Sequence, residues 1–133
     1  MMTRRLRTIC VLLVWLGLGS APAASATQSF SVTVEVGPGA WRGVRMTNLP
    51  KAARLALRIE PDGPITVLIL DSTQLSRFPA EPSSLFSANT ERPLSFEVAV
   101  PRAGTYYAIF DNRTGTTERK IVLAVSASLA KRD

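Results

Sequence analysis

Histidine is absent from this 133-residue sequence, and cysteine occurs once, as Cys10. The absence of histidine excludes Ser-His-Asp triads, histidine-ligated zinc sites and imidazole general bases. Long apolar runs are also missing. The longest, residues 9–18, is about half of the ~20 residues that a membrane-spanning helix needs. We therefore expect no transmembrane helix in the part of the chain that follows this run.

The N-terminal run has the three parts of a secretory signal peptide. Arg4, Arg5 and Arg7 precede it without an acidic residue, and the small residues of Ala24-Ser25-Ala26 follow it. This pattern predicts cleavage after Ala26, with a signal peptide at 1–26 and an exported domain at 27–133, and it disfavours an uncleaved anchor. The exported chain would then contain no thiol, which excludes disulfides and thiolate metal sites. We expect a periplasmic or extracellular location.

Catalytic groups are scarce in the exported chain as well. Glu35, Glu60, Glu97 and Glu118 fall on the solvent faces or ends of predicted strands, where carboxylates ordinarily keep a surface soluble. We therefore expect no catalytic residue, no cofactor and no metal, and a protein that is not an enzyme. A glycosidase-like pair formed by Glu35 and Glu97 is the enzymatic alternative that this inventory leaves open.

Alternation of apolar and polar residues is the main pattern that the chain does contain. It is strict over 30–36, whereas 65–70 is apolar on both sides, as expected for an interior strand. Glycine and proline separate these segments, and no helical period of useful length occurs. The pattern predicts an all-β fold, a single seven- to eight-stranded antiparallel β-sandwich of the immunoglobulin-like or jelly-roll-like type. The main predicted strands are 30–36, 41–49, 54–60, 65–70, 94–100, 105–111 and 118–126.

Residues 72–93 differ from the rest in that they are rich in proline and serine and have no period. Connections in compact domains are usually about 4–6 residues long. The segment therefore predicts a crossover between two sheets, with a short edge strand near Leu85-Phe86. Phe78, Leu85 and Phe86 are expected to plug the open end of the sandwich. Since loops on rigid scaffolds often carry function, Phe78 and Phe86 are also candidate ligand contacts.

Basic residues are concentrated between 42 and 58. The whole chain has 16 basic and 10 acidic residues, and three of the basic ones lie in the predicted signal peptide. Arg42, Arg45, Arg54 and Arg58 are candidate contacts for anionic envelope polymers or lipid headgroups, although solvated strand faces also carry such charges. Nucleic acid is not expected, because the strip lacks the interleaved aromatic residues that stack on bases.

Two aromatic residues of the exported chain are further candidates for ligand contact. Trp41 follows a Gly-Pro-Gly turn, and Tyr107 lies on the strand face opposite Tyr106. Exposed tryptophan and tyrosine rings stack on sugars and peptides, which favours a binding role. Placement in the core is the alternative for both.

A polar cluster, Asp111-Asn112-Arg113, with Gly115 shortly after it, interrupts the apolar C-terminal part of the chain. Asparagine and aspartate tolerate unusual backbone angles and glycine supplies positive φ, so the cluster predicts a hairpin turn between strands 105–111 and 118–126. A calcium site would need about six to eight oxygen ligands, of which the cluster offers few. Asn112-Arg113-Thr114 also matches the N-glycosylation acceptor pattern, which matters only in a glycosylating cell.

Residues 101–126, PRAGTYYAIFDNRTGTTERKIVLAVS, resemble the C-terminal hairpin of bacterial pre-peptidase C-terminal (PPC) domains, in which a Pro-x-x-Gly-x-Tyr strand ends in Asp or Asn. The run is also similar to GOLD domains, in which an aromatic-x-Asn turn precedes a last strand rich in lysine and valine. Both resemblances imply a small β-sandwich used for binding or accessory work. Neither implies a catalytic residue.

Taken together, these features predict an exported, non-enzymatic β-sandwich that binds another envelope or secreted protein. The alternative is a module that binds polysaccharide or an anionic surface through Trp41 and the 42–58 strip. Salt distinguishes the two, because binding to an anionic surface weakens steeply as ionic strength rises. A carboxylate-based hydrolase is the third hypothesis.

Overall fold

The computed structural model describes residues 13–15, 27–81 and 83–129, so the predicted cleavage site at Ala26 and most of the predicted signal peptide lie outside the described residues. Within the described part, no helix is long and apolar enough to cross a membrane. The elements of this part are β1 (Leu13–Trp15), β2 (Thr27–Val36), β3 (Trp41–Leu49), β4 (Arg54–Pro61), β5 (Ile65–Asp71), α1 (Ser72–Arg77), β6 (Phe86–Thr90), β7 (Leu94–Ala99), β8 (Gly104–Asp111) and β9 (Arg119–Ser128).

The strands form two sheets. The five-stranded sheet has the order β1-β3-β8-β5-β6, and the four-stranded sheet has the order β2-β9-β4-β7. All pairings are antiparallel except that β1 runs parallel to β3. Eight antiparallel strands therefore form a sandwich, which confirms the predicted fold class.

The core lies between the two sheets, because the apolar residues of each alternating strand point to its inner face. Val44 and Met46 of β3, Leu57 of β4, Phe110 of β8 and Leu123 of β9 are each 2% exposed or less. Burying side chains of this kind contributes roughly 1.5–3 kcal/mol each before the entropy cost of ordering them. Burial of the apolar residues whose alternation predicted these strands is therefore the main term that stabilises them.

A second apolar cluster covers the outer face of the five-stranded sheet. Leu68 and Leu70 of β5 and Ile109 of β8 pack there with Phe78, and Leu75 of α1 adds to the cluster. Since its other face meets the main core, β5 is covered on both sides. This confirms the prediction that 65–70 is an interior strand.

The helix α1 was not predicted from the sequence. Asp71 caps it: the Asp71 carboxylate accepts a hydrogen bond from the Gln74 backbone nitrogen at 2.7 Å, and the Gln74 side chain accepts one from the Asp71 nitrogen at 3.0 Å. This reciprocal arrangement is a capping box. A helix of six residues is too short to show a 3.6-residue period, and the Asp-Ser-Thr-Gln sequence was the signal that could have found it.

The segment 72–93 carries the chain from the five-stranded to the four-stranded sheet, which confirms the predicted crossover. After α1 the chain returns as β6, which pairs antiparallel with β5, so that Ile69 lies opposite Phe86. This confirms the predicted edge strand near Leu85-Phe86. The chain passes to the other sheet only between β6 and β7. The crossover is therefore a short turn that follows an additional edge strand.

The aromatic side chains of this segment occupy two places. Phe78 does not plug the end of the sandwich, since it lies in the outer cluster with its ring edge-on to Trp41, at a centroid distance of 5.1 Å and an angle of 88°. Phe86 stacks on Phe96 of β7 at 3.8 Å, and with Leu85 it packs against the main core. The plug prediction is therefore wrong for Phe78, which covers a sheet face.

Candidate functional site

The polar cluster 111–115 joins the two sheets and does not form a hairpin. β8 belongs to the five-stranded sheet and β9 to the four-stranded sheet, so these consecutive strands do not pair with each other. The hairpin prediction for Asp111, Asn112, Arg113 and Gly115 is therefore wrong, although the chain does turn there. Turn-forming residues between two alternating strands are compatible with both connections, and the sequence pattern does not separate them.

Asn112 anchors this connection. Asn112 is 3% exposed, and no other polar residue of the described part of the chain is buried to this degree. The side-chain nitrogen lies 3.2 Å from the Val36 carbonyl, 3.0 Å from the Gly37 carbonyl and 2.9 Å from the Thr117 carbonyl, while its backbone nitrogen donates to Ala40 at 2.8 Å. These contacts tie the β2–β3 turn to the β8–β9 connection. The role of Asn112 is therefore to hold two loops together.

Asp111 is engaged by Arg113. The Arg113 backbone nitrogen and Nε both lie 2.9 Å from Asp111 Oδ1, and Nη2 lies 2.8 Å from Oδ2. The hydrogen bond to Asp111 raises the pKa of Arg113 above its usual value. The guanidinium also lies over the Phe78 ring, 5.1 Å from its centroid. In the described residues, no group of three or more His, Cys, Asp or Glu side chains is placed to hold a metal ion.

The basic residues expected to form one strip lie on two different sheets. Arg42 and Arg45 belong to β3 of the five-stranded sheet, whereas Arg54 and Arg58 belong to β4 of the four-stranded sheet. The continuous strip is therefore wrong, because strands that follow each other in sequence are in separate layers. On β4, Arg54 pairs with Glu97 at 3.2 Å and Arg58 with Glu60 at 2.8 Å. Among the described residues, the structure gives Arg42 and Arg45 no acidic partner.

Trp41 and Tyr107 are both half-buried against the outer cluster of the five-stranded sheet. The Trp41 ring meets Phe78 edge-on, and Tyr107 lies opposite Arg45 in the β3–β8 pairing. Tyr106 points the other way, into the main core, as its alternation with Tyr107 predicted. A ligand role for Trp41 and Tyr107 stays a prediction, but neither ring is a freely exposed platform.

Glu35 and Glu97, the suggested carboxylate pair, are not brought together. β2 and β7, which carry them, are the two opposite edges of the four-stranded sheet. Three strand spacings of about 4.8 Å separate these edges by roughly 14 Å. Glycosidase carboxylates are about 5–9.5 Å apart. The glycosidase-like pair is therefore wrong for this fold.

The outer face of the four-stranded sheet carries small side chains and forms a shallow trough of about 720 Å³. In the strand register, Ser126 lies between Ser29 and Ala56, and Ala56 is followed by Glu97. Because small side chains project little, the backbone of the sheet is accessible here. The Ser/Ala face, as this surface is named below, consists of Ser29, Ser31, Ala56, Ser95, Ala124 and Ser126.

Charges of both signs surround the Ser/Ala face. Its borders carry the Arg54–Glu97 and Arg58–Glu60 pairs, and Lys120 lies opposite Glu35 in the β2–β9 pairing. Val122, which lies on the same outward side of β9 as Lys120, is 37% exposed. This face was not predicted from the sequence. The signal that could have found it is the serine and alanine at the outward positions of the predicted strands, a pattern that also occurs on ordinary solvent-exposed faces.

Comparisons with known proteins give similarities of structure alone. No family model matches the chain, and no curated protein matches it. Aeromonas hydrophila PliG, a periplasmic lysozyme inhibitor of g-type lysozyme, is 16% identical with a TM-score of 0.48, covering 90% of this chain and 99% of that one. The corresponding Salmonella Typhimurium PliG is 12% identical with a TM-score of 0.46, covering 86% and 96%.

A third similar structure is a Bacillus endospore appendage protein from a family of disulfide-linked pili. It is 11% identical with a TM-score of 0.47, and the match covers 80% of this chain and 90% of that one. None of these three is a PPC or GOLD domain, and the resemblance of residues 101–126 to those families stays a prediction. At these identities and scores, the similarities assign no function to the chain.

Proposed function

We propose that this chain is an exported, non-enzymatic β-sandwich domain that binds another envelope or secreted protein through the Ser/Ala face. The observation that supports this is the contrast between the two outer sheet faces. The five-stranded sheet carries a helix and a second apolar cluster on its outer face, whereas the outer face of the four-stranded sheet carries a trough. The first face is occupied by the chain itself, whereas no described element covers the second, which can therefore meet a partner.

The chemistry of the Ser/Ala face suits a protein partner. Small side chains allow another backbone to approach closely, and serine hydroxyls both donate and accept hydrogen bonds. The bordering charges are balanced in sign, which favours one orientation of a polar partner over general attraction to a polyanion. Four strands at about 4.8 Å spacing and up to ~33 Å long give roughly 500–600 Å². This area, which already includes the bordering charges on the same strands, is below the ~800 Å² per partner of a standard interface and suits a smaller one.

A module for polysaccharide or anionic surfaces is less well supported. The arginines assigned to it are divided between two sheets, and Trp41 is packed against Phe78. No tryptophan or tyrosine lines the trough itself. Binding through balanced charges and a packed face should change little between low and physiological salt, whereas polyanion binding should weaken steeply.

The test is selective loss of a partner when the Ser/Ala face is blocked. The tagged chain is exported from a bacterial host with its own N-terminus, cross-linked in the envelope and purified, and the captured proteins are identified. Ala56→Arg places a long charged side chain in the trough. Ser87→Arg, at an exposed position of β6 in the other sheet, is the matched control. We expect one envelope protein to be captured by the wild type and by Ser87→Arg, and to be lost with Ala56→Arg.

Two results would contradict the proposal: equal capture by both variants, or no partner for the wild type. In a separate assay, a purified g-type lysozyme, the enzyme that the PliG proteins inhibit, is tested directly against this chain. Loss of its lytic activity upon addition of the wild type, and recovery with Ala56→Arg, would identify it as a partner.

A further inference from the structure

We propose that the outer edge of β3 accepts an extended strand from a partner protein, and that this strand carries a carboxylate that pairs with Arg45. The site lies in the five-stranded sheet, away from the Ser/Ala face. It rests on one part of the proposed function, namely that export removes residues 1–26. It is a second, separate binding surface, recognised by backbone pairing and charge.

The edge of β3 becomes open when the signal peptide is removed. In the order β1-β3-β8-β5-β6, the described strand on the outer side of β3 is β1, which is three residues long and lies within the predicted signal peptide. Cleavage after Ala26 would remove β1. The outward backbone N–H and C=O groups between Trp41 and Met46 would then face no other described strand, and such an edge is a template for another strand.

The arrangement of β1 indicates that this edge can hold a strand. Leu13, Val14 and Trp15 lie opposite Arg45, Met46 and Thr47 in parallel register. Addition of an extended segment to an exposed sheet edge is a recurring mode of peptide recognition.

The end of β3 that follows the residues opposite β1 is less suited to pairing, because the register with β8 shifts between Met46 and Leu49 and Asn48 has a φ of 60°. Irregularities of this kind blunt an edge. The regular stretch from Trp41 to Met46 is therefore the proposed acceptor.

Arg45 supplies the chemistry of the partner. In the four-stranded sheet Arg54 pairs with Glu97, Arg58 with Glu60 and Arg119 with Asp62. Arg45 has no acidic partner among the described residues, and with β1 in place its Nε is buried without a hydrogen-bond partner. A strand that replaced β1 would cover Arg45 in the same way.

A buried donor without an acceptor is unfavourable, and a charged donor is best satisfied by a carboxylate. The apolar run 9–18, to which β1 belongs, contains no acidic residue. A partner strand with an aspartate or glutamate opposite Arg45 would supply the hydrogen-bond acceptor that the signal peptide does not give to Arg45 Nε.

The test uses the exported chain and short peptide probes. The full-length gene is expressed with its own signal peptide, the exported protein is purified, and its N-terminus is determined by mass spectrometry. Binding of the labelled peptide Ser-Val-Thr-Val-Glu-Val-Thr is measured by fluorescence polarisation. Two matched peptides replace the glutamate with lysine, or the threonine before the second valine with proline, which cannot donate to a ladder.

We expect the glutamate peptide to bind about tenfold more tightly than the lysine peptide, as a charge-assisted hydrogen bond at a half-buried arginine allows. Arg45→Gln should remove this difference, while Arg58→Gln on the other sheet should preserve it. The proline peptide should lose most of the binding. Arg45→Lys, which keeps the charge, provides a second variant if Arg45→Gln does not fold, and it should retain the preference for glutamate in weakened form.

The proposal is overturned if no peptide binds, if the glutamate and lysine peptides bind equally, or if the proline peptide binds as well as its parent. Competition by dextran sulfate as effective as that by the glutamate peptide would indicate a polyanion site and would overturn the strand. Retention of residues 1–26 on the exported protein would leave the edge covered and would also overturn it. Ala56→Arg should bind the peptide normally, so failure of the Ser/Ala face and failure of this edge are distinguishable.

Discussion

Asn112 should be the most sensitive polar position of the domain. The Asn112→Ala substitution removes a side-chain nitrogen that lies 2.9–3.2 Å from three backbone carbonyls, those of Val36, Gly37 and Thr117. Asn112 belongs to the β8–β9 connection and contacts the β2–β3 turn, and each of these two loops runs from one sheet to the other. Alanine keeps the backbone contacts of residue 112 but leaves these carbonyls without their donor.

The size of the effect follows from the burial of the site. An amide nitrogen has two hydrogens, so the three carbonyls share about two full hydrogen bonds, each contributing roughly 0.5–1.5 kcal/mol net. Carbonyls that remain buried without a donor add to the loss. We expect the free energy of unfolding to fall by about 2–4 kcal/mol. For a domain of about 100 residues, this corresponds to a decrease in Tm of roughly 10–25 °C.

A second substitution at the same position separates lost hydrogen bonds from lost volume. Asn112→Asp preserves the size but directs a carboxylate at carbonyl oxygens, and burial raises the pKa of this carboxyl above its unfolded value. The ionised form is therefore disfavoured in the folded state. Asn112→Asp should be less stable than Asn112→Ala at pH 7, and the difference should shrink as the pH falls and the carboxyl becomes protonated.

Urea and thermal unfolding, followed by circular dichroism, measure these differences. Asn89→Ala is the matched control, because Asn89 is an exposed strand asparagine whose side-chain oxygen accepts a hydrogen bond from Thr66 at 2.6 Å. It should change stability by less than about 1 kcal/mol. If Asn112→Ala is within about 0.5 kcal/mol of the wild type, the reasoning that Asn112 holds the two loops together is wrong.

Three further predictions follow from the same contacts. Gly115→Ala should destabilise the domain by at least about 2 kcal/mol, because the added Cβ would overlap the Asn112 side-chain oxygen. The Cβ of Gly63→Ala meets the flexible Arg119 guanidinium and should cost less than about 1 kcal/mol, so similar melting curves for both variants would contradict this. Phe78→Ala should lower the free energy of unfolding by about 3 kcal/mol and shift the emission of Trp41, the one tryptophan of 27–133, to longer wavelength, and an unshifted spectrum would place Trp41 outside the cluster. Ala56→Arg, which points away from the core, should keep the Tm of the wild type, and a large decrease would mean that the Ser/Ala face is part of the packing.

The sequence predicted the strands and their faces well because alternation reports burial directly. Residues 30–36 and 94–100 alternate as their strands require, and the apolar run at 65–70 marks the strand that is covered on both sides. Alternation does not report which strand is the neighbour of which. For that reason the turn at Asp111 was interpreted as a hairpin, and arginines adjacent in sequence were interpreted as one strip.

The features of the candidate site were the hardest to predict, since they depend on which strands share a sheet. Serine and alanine at outward positions look the same on a bare face as on a covered one. The different environments of Arg45 and Arg58 arise because β3 and β4 enter different layers. The burial of the Asn112 amide also depends on tertiary contacts, because its carbonyl partners at Val36 and Gly37 are distant in sequence.

If the chain is exported as proposed, the pairing of β2 with β9 bears on how it reaches its folded state after crossing a membrane. Thr27, the first residue of β2, lies opposite Ser128 at the end of β9, and β9 is also the neighbour that links β2 to β4. A chain that is translocated from its N-terminus presents β2 first and its partner last. The four-stranded sheet would therefore not assemble until β9 has also been translocated, and until then β2 would remain unpaired on the far side of the membrane. A holdase chaperone in that compartment would be most valuable to this protein during that interval.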